Sequence, residues 1–463
     1  MTNASRPARR LCCAALMVFL LGGCASLTRT PYVAPPASVA AAWAHADSAP
    51  AANAGRWWQA FGDAQLATLI DEALARNADL AAAGIKLQRA RLNTGLAEDK
   101  FIPALGASLG NSVSKSLKGA GDISRSYSAK TTLSWEADLW GKLASTRDAA
   151  QWEAQATEQD KANTALALIG STARLYWQIG YLNQRIDLST QSIAYTERTQ
   201  ALVQRKFEAG AIYRLDVLQA EQDLASQRAS RTQLIQQREE ARTAFALLFD
   251  GPPSKNFTEP QSVPTGALPS VVAGLPADVL ARRPDLRASE LRLRATLASG
   301  DATRLAYYPS LSLTGSLGSS SDKLRDVLSN PVAALASELA LPFLQYHEMK
   351  LKTGVARADY DLAAIQFRQS LYSALGDVEN ALSARTQYVQ QGEFLGRSLA
   401  AAQSAEKINE TRYHAGAIPL QTWLDSQEKR RSAEASLAEN RYNQLASQIA
   451  LNLALGGDSQ PGN

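Results

Sequence analysis

The chain has 463 residues, of which 46% are apolar but only 7% aromatic. This length and composition exclude a single large globular core, and the abundance of Ala, Gln, Leu, Arg and Glu indicates long helices. The net charge of +4 includes three arginines near the N-terminus, and their removal leaves +1. No basic field therefore points to nucleic acid as a partner.

The N-terminus has the pattern of an export signal. Its arginines precede an apolar run, Leu11–Gly23, which is shorter than the roughly 18 residues of a membrane helix. The run ends in Leu-Gly-Gly-Cys, which resembles a bacterial lipobox. We therefore predict a lipoprotein signal peptide at 1–23, lipid on Cys24 and a lipidated N-terminal segment at 24–60. The alternative is an ordinary signal peptide with an incidental cysteine. By resemblance to known sorting rules, Ala25 in place of Asp favours the outer membrane.

Removal of this signal peptide would leave one cysteine of the three in the chain, so no internal disulfide is expected.

The chain contains an internal duplication. Four pairs of matching stretches share one offset of 206 residues, among them "FEAGAIYRLDVLQAEQ" from Phe207 and "YHAGAIPLQTWLDSQE" from Tyr413. We predict structural repeats at 61–250 and 267–455, a Pro-rich connector at 251–266 and a flexible tail at 456–463.

Each repeat is predicted to begin with two short helices. In the first repeat, the spacing of Leu66, Leu69, Ile70 and Ala73 indicates one buried helix face. Asn77 is a good N-cap for a second helix, and in the second repeat a proline, Pro284, stands at the first helical position that proline tolerates.

Two strands are predicted next in each repeat, because apolar residues then recur at every second position. Leu133 and Trp135 share one face, whereas Lys130 and Glu136 share the other. In the second repeat, the apolar residues on one face of the predicted strand are Leu335, Leu339, Leu341 and Phe343. This pattern favours membrane strands with the leucine and tryptophan towards lipid and the charged residues towards a lumen or its rim.

The alternative to membrane strands is a half-buried sheet in a soluble domain. Four strands with open edges cannot remain in lipid, so copies would have to close the sheet. Two copies give eight strands and three give twelve.

Long helices are predicted at about 143–208 and 352–414, with return helices to about 249 and 455. Some 65 residues at 1.5 Å each span roughly 100 Å, which suits the gap between two membranes. Gly210 and Gly416 fall where each outgoing helix meets its return. They fit the C′ position that needs a left-handed backbone.

The stretches "FGDAQLATLIDEALARNADL" (61–80), "SWEADLWGKL" (134–143) and "GLPADVLARRPDLRASELRLRAT" (274–296), with the two Ala-Gly-Ala-Ile turns, resemble the TolC-like outer-membrane efflux proteins, in their lipid-anchored NodT-type branch. The resemblance implies a mixed α/β membrane protein. It consists mostly of long helical coiled-coil hairpins, with four transmembrane β-strands per chain that close as a trimeric twelve-stranded barrel on a helical tunnel. The connector at 251–266 would lie in an equatorial belt.

The resemblance also implies partners and site residues. A homotrimer in the outer-membrane lipid, extending into the periplasm, would passively export small molecules delivered by a periplasmic adaptor and an inner-membrane RND-type pump. The adaptor would contact the hairpin tips at Gly210, Ala211, Ile212, Gly416, Ala417 and Ile418. The isoleucine in each turn is expected to be exposed and to add apolar area to this contact. Asp425 would form a periplasmic gate.

The sequence departs from the family pattern at two places. Relatives often carry a "PLFDGG"-like segment after the last strand, where this chain reads "LPFLQYHEM" at 341–349. Relatives can also carry two acidic residues three apart at the gate, whereas this chain has Thr422 and Asp425. The corner at 341–349 and the strength of the gate are therefore open.

No pattern in the sequence predicts an enzyme or a cofactor. The three histidines lack metal-ligand spacing, and no phosphate-binding Gly-Lys-Ser/Thr loop occurs. Besides the exit channel of an efflux system, two alternatives are open. One is the outer-membrane channel of a type I protein secretion system, and the other is a coiled-coil envelope lipoprotein that forms no channel.

Overall fold

The structure is a computed structural model, and it describes residues 28–45, 55–117, 123–271, 273–274 and 276–457. The predicted signal peptide, Cys24 and most of the tail lie outside these ranges. In the described ranges the helices are α1 (Ala64–Arg76), α2 (Ala78–Asp99), α3 (Lys142–Glu208), α4 (Arg214–Leu247), α5 (Asp278–Arg282), α6 (Pro284–Leu305), α7 (Tyr346–His414) and α8 (Leu420–Ala454). The strands are β1 (Ala104–Lys115), β2 (Ile123–Ala137), β3 (Ser310–Ser321) and β4 (Val332–Ala340).

Side-chain caps separate α1 from α2 as the sequence predicts. The Asp63 carboxylate accepts a hydrogen bond from the Leu66 amide at 2.9 Å and starts α1. The Asn77 side chain accepts one from the Leu80 amide at 3.0 Å and starts α2. These bonds satisfy amides that have no partner inside their helices. Pro284 is the first residue of α6, at the position where its missing N–H costs nothing.

The four strands form one antiparallel sheet in the order β1-β2-β3-β4. Its register aligns Leu105 with Leu133, Leu133 with Gly315 and Gly315 with Leu335 across all four strands. The adjacent row, on the other face, runs from Gly106 through Thr132 and Ser316 to Ala334. Because side chains alternate between faces, one face of the sheet is mostly apolar, with Lys115 and Arg125 near the β1–β2 turn, and the other face is mostly polar, as the alternation predicts.

The two strand hairpins have the same register. Leu105 pairs with Leu133 in the first hairpin, and Leu311 pairs with Leu339 in the second. Each member of the second pair lies 206 residues after its counterpart in the first. The offset found in the sequence therefore recurs in the hydrogen-bonded pairing of the strands.

The second repeat departs from the prediction at the end of its last strand. β4 ends at Ala340, so Leu341 and Phe343, predicted to continue its apolar face, lie beyond the strand. Pro342 has no N–H for a ladder and starts a short 3₁₀ turn, Pro342–Leu344. α7 then begins at Tyr346, six residues earlier than predicted.

The described residues fall into two compact units. One unit contains the sheet, with residues 28–37, 85–159 and 288–370, apart from the undescribed gap at 118–122. Its buried side chains include Leu293 and Leu305 of α6.

The other unit contains residues 160–287, 371–457 and 38–84, apart from the undescribed gaps. Its main core joins Trp58, Ile70, Ile169 and Phe245. In α3, four residues at heptad-like spacing are all buried: Leu166, Ile169, Ala173 and Tyr176.

None of the helices in the described part of the chain is long and apolar enough to cross a membrane.

Candidate functional site: the hairpin tips

Both hairpin tips are built by the same helix-ending motif. Gly210 has φ +71° and Gly416 has φ +74°, in the left-handed region that glycine adopts without strain. The Gly210 amide donates to the Phe207 carbonyl at 2.9 Å, and the Ala211 amide donates to the Lys206 carbonyl at 2.8 Å.

The second tip repeats these two bonds. The Gly416 amide donates to the Tyr413 carbonyl at 3.0 Å, and the Ala417 amide donates to the Arg412 carbonyl at 2.9 Å. This pair of bonds is the Schellman motif, so the predicted turns and their glycines are confirmed.

Two of the six predicted tip residues, the isoleucines, differ from the prediction in their exposure to solvent. Gly210, Ala211, Gly416 and Ala417 are exposed. The two isoleucines, predicted to be exposed, are half-buried instead. They pack against a group of buried side chains, the tip cluster: Val203, Val217, Ala220, Tyr413, Leu420, Trp423 and Leu424. Because burying apolar area stabilises the tip, the isoleucines serve the hairpins themselves. The exposed surface at the turns combines the small residues with Tyr213, which is 85% exposed.

Aromatic rings join the two hairpins within the tip cluster. Trp423 is only 2% exposed, and its ring stacks on that of Tyr413 at 5.0 Å. Tyr195, from the long helix of the first hairpin, meets the Trp423 ring edge-on at 6.3 Å. Lys206 places its Nζ 4.1 Å from the Tyr413 ring centre. Burial, with a smaller contribution from the Asp216 carboxylate, raises the pKa of the Tyr413 hydroxyl.

The predicted gate residue, Asp425, lies on the exposed side of α8. Its carboxylate accepts a hydrogen bond from the Gln421 side chain at 2.6 Å, one turn earlier. The neighbouring residues Trp423, Leu424 and Ser426 are buried, so Asp425 points away from the packed hairpins. Thr422 is also exposed. The carboxylate of Asp425 is thus open to solvent or to another copy of the chain.

The acidic residue in the first tip has a different role. Asp216 accepts a hydrogen bond from the Tyr213 amide at 3.2 Å and caps the start of α4. It occupies the position of Thr422 in the internal repeat, three residues before the counterpart of Asp425. The two return helices therefore use their acidic residues differently, one as a helix cap and one as an exposed group.

An ion pair and a hydrogen bond that the sequence analysis missed link the two hairpins beyond the tip. The Arg431 guanidinium lies 3.0 Å from Asp223 of α4 and 2.8 Å from Glu428 of its own helix. The Arg431 side chain is only 9% exposed. The Tyr195 hydroxyl of α3 donates to Glu410 of α7 at 3.0 Å. These two contacts, Arg431 with Asp223 and Tyr195 with Glu410, hold the two hairpins together.

A second half-buried arginine joins the two helices of the later hairpin. Arg430 pairs with Glu434 at 2.7 Å and with Glu406 of α7. Burial lowers the pKa of Arg430, but the two carboxylates outweigh this effect and raise it. The run Glu-Lys-Arg-Arg at 428–431 marks this region in the sequence, but nothing local identifies the partners in other helices.

In the described residues, no group of three or more His, Cys, Asp or Glu side chains is arranged to hold a metal ion.

Comparison with known proteins gives a consistent assignment. The family model described as "Outer membrane efflux protein" matches residues 69–249 and 275–457. The chain is 30% identical over 456 residues to the pyoverdine export outer membrane protein OpmQ of Pseudomonas aeruginosa, which covers 95% of each chain. It is 29% identical to toxin and drug export protein A of Aggregatibacter actinomycetemcomitans, over 87% of this chain and 88% of that protein.

Solved structures share the fold. The outer-membrane channel OprN superposes with a TM-score of 0.84 at 24% identity, covering 94% of this chain and all of that one. The open state of the MtrE outer membrane channel of Neisseria gonorrhoeae superposes with a TM-score of 0.81 at 28% identity, covering 94% and 99%. The long helical hairpins, the four-stranded sheet and both matched halves agree with these proteins, and the chain belongs to the outer membrane efflux protein family.

Proposed function

We propose that the chain is the outer-membrane exit channel of a tripartite efflux system, in which three copies form one passive conduit. The observation that carries this proposal is the combination of an exposed apolar sheet face with two very long helices. α3 has 67 residues and α7 has 69, so each extends roughly 100 Å. An apolar sheet face fits a membrane environment, and helices of this length can extend into the periplasm. Together they fit a conduit that leads from the outer membrane into the periplasm.

The apolar sheet face supports a lipid environment. Leu109 is 87% exposed and Leu335 is 84% exposed, and both lie on the same face as Leu133 and Trp135. Contiguous apolar area of this kind marks a surface that another apolar medium covers. The polar face, which carries Lys130, would line the interior.

The exposed tips support docking of a periplasmic adaptor. Gly210, Ala211, Gly416 and Ala417 leave the turn backbones without bulky side chains. A helical partner could therefore approach the turns closely. In this proposal the half-buried Ile212 and Ile418 support the turns rather than contact the adaptor.

Asp425 is proposed to form the gate. Three copies around one axis would place three such carboxylates in a ring near the closed tip. Like charges at short range repel, so the ring would attract cations and favour opening when an adaptor engages. The exposure of this carboxylate on α8 supports the placement.

The N-terminal segment supports a lipid anchor at Cys24. Thr30 bonds to Asp301 through both its amide and its hydroxyl, at 2.7 Å each. The Thr28 hydroxyl donates to the Trp140 carbonyl at 2.7 Å, three residues after β2 ends. The start of the described chain is therefore held near one end of the sheet, four residues after the predicted lipidated cysteine.

The names of the relatives suggest cargo. OpmQ is named for pyoverdine export and a second relative for toxin and drug export. We propose that small molecules, delivered by an inner-membrane pump through the adaptor, leave through this channel.

Conductance and export together test the function. Purified trimers should conduct ions in planar bilayers. In a bacterial strain that lacks its own exit channel but keeps the cognate adaptor and pump, the chain should lower the accumulation of a fluorescent drug. Trimers without conductance would favour the envelope scaffold, and secretion of a protein without drug efflux would favour a type I system.

A further inference from the structure

The apolar face of the sheet carries an aromatic side chain towards each end of β2. Trp135 and Tyr127 share this face and lie eight residues apart. At about 3.4 Å per residue they are about 27 Å apart along the strand. A strand tilt of about 40° reduces this to about 21 Å of height, close to the apolar band of roughly 25 Å that aromatic girdles border in membrane barrels. If this face contacts lipid, the two rings mark the levels of the lipid headgroups.

Two cationic side chains lie on the same face beyond Tyr127. Arg125 is two residues further along β2, opposite Val113 of β1. Lys115, the last residue of β1, lies opposite Ile123. Both cations are exposed. They are diagonal neighbours across the two strands, a spacing that long side chains can bridge.

No carboxylate of the described strands neutralises this pair. Lys115 and Arg125 are the only charged residues on the apolar face of these strands, whereas Glu136 and Glu338 lie on the other face. The turn at 118–122 lies outside the described residues, and its sequence of one lysine and one aspartate adds no net charge. Like charges in adjacent positions repel each other. An anion that contacts both side chains would therefore remove an unfavourable interaction.

The charge is confined to one end of one hairpin. Helices α2 and α3 adjoin the opposite end of β1 and β2, near Leu105 and Leu133, where the apolar face carries no charge. The internal repeat does not supply the pair either, since Ser321 and Pro331 stand 206 residues after the two cations. The pair is thus a separate feature of the first hairpin.

We propose that Lys115 and Arg125 bind the phosphates of lipid A, the phosphorylated glycolipid of the outer leaflet of the outer membrane. The inference rests on the proposed function, because helices that extend into the periplasm place the β1–β2 turn at the cell exterior. Each copy provides one site, so a trimer provides three. The guanidinium can bind a phosphate through two parallel N–H bonds, and the ammonium adds a point charge.

The residues beside the cations favour a lipid over a free anion. Val113 is 66% exposed and Ile123 is 59% exposed, and both share the face of the two cations. Phosphates held by Lys115 and Arg125 place the acyl chains of the same molecule along the apolar face towards Leu109. Cations at the border of an apolar surface are the arrangement that attracts anionic lipid headgroups.

Lipid A binding by the purified trimer tests the site. Trimers in mild detergent would be titrated with diphosphoryl lipid A, and bound molecules would be counted by native mass spectrometry. The parent should bind up to three molecules. K115Q combined with R125Q should bind roughly tenfold to thirtyfold more weakly, because both cations are lost. Equal affinity of this double variant and the parent would overturn the inference.

Three controls isolate the charges on this face. K130Q removes a cation from the opposite face of β2 and should bind lipid A as the parent does. K115R combined with R125K keeps both charges and should also retain binding. Lipid A stripped of its phosphates should bind the parent and K115Q/R125Q equally. Weakened binding in K130Q to the extent seen in K115Q/R125Q would overturn the assignment to the apolar face.

Two competitors distinguish the source of the phosphate. Inorganic phosphate lacks acyl chains, and phosphatidylglycerol carries a single phosphate. Both should displace lipid A from the parent at least several-fold less effectively than a second, isotopically labelled lipid A does. Displacement by either competitor at the same concentration as by lipid A would show a general anion site and overturn the proposed ligand.

The same trimers separate this inference from the proposed function. Trimers that conduct ions in planar bilayers but bind lipid A alike in the parent and K115Q/R125Q would overturn the lipid site and leave the channel standing. A parent chain that forms neither trimers nor channels would overturn both.

Discussion

An arginine at Leu133 tests the orientation of the sheet. Leu133 lies in the apolar row between Leu105 and Gly315, and its side chain is 49% exposed in one copy. The apolar face of the described strands carries no carboxylate that could pair with a new guanidinium. If this face contacts lipid, L133R forces a charge into an apolar medium.

The expected cost is large compared with the stability of a protein. A lipid-facing arginine near the bilayer midplane costs about 2–4 kcal/mol, and less towards the interfaces. A trimer carries the change three times, so the total reaches roughly 6–12 kcal/mol. Native proteins are stable by only about 5–15 kcal/mol. We therefore expect L133R to abolish heat-resistant trimers in outer membranes.

T132R is the matched control, because Thr132 is the adjacent residue on the polar face, between Gly106 and Ser316. Its small neighbours leave room for a longer side chain, and a surface change of this kind costs within about 0.5 kcal/mol. T132R should form normal trimers, with an altered single-channel conductance. Trimer yield on unheated gels and bilayer recording measure the two effects. Equal loss of trimers in both variants would refute the assigned faces and favour a soluble sheet.

Four other predictions address the tips, the gate, the anchor and the Pro-rich connector. G416W should leave trimers intact but abolish drug export. The control G416A imposes a similar backbone strain of about 1–2 kcal/mol without a bulky side chain, so it should export normally. Equal export by both variants would place adaptor docking elsewhere. D425N should raise the half-blocking concentration of a trivalent cation roughly tenfold in periplasmic-side recordings, since three carboxylates are lost together; an unchanged block would exclude the ring. C24S should remove palmitate labelling, and intact-mass analysis of an unmodified Cys24 in the parent would contradict the anchor. Glu259 lies in the Pro-rich connector and accepts hydrogen bonds from Arg242 of α4 at 2.7 Å and from Asn183 of α3 at 3.0 Å. Burial raises the pKa of Glu259, but these hydrogen bonds outweigh burial and lower it. The stabilisation by this carboxylate is therefore present above its unfolded pKa of about 4.3 and is lost as pH falls through the lower folded value. E259Q should accordingly melt at a lower temperature than the parent at pH 7 and lose less stability on acidification, and a parallel pH profile would argue against this carboxylate.

Features set by local backbone chemistry were predictable from the sequence. Gly210 and Gly416 end their helices in left-handed conformations because only a residue without a Cβ adopts them freely. Asn77 separates two helices through a bond that spans three residues. The alternation along β2 fixed which residues share a face, since successive side chains in a strand always point to opposite sides.

Features set by contacts between distant segments were decided by the tertiary structure. The sequence shows that Arg431 is charged, but its pairing with Asp223, 208 residues earlier, exists only because α4 and α8 pack together. Ile212 and Ile418 lie in exposed turns by sequence, yet the tip cluster half-buries both. Local sequence thus determined conformation and facing, where each rule spans a few residues. Burial and ion pairing depended on which helices meet, and no local pattern encodes that choice.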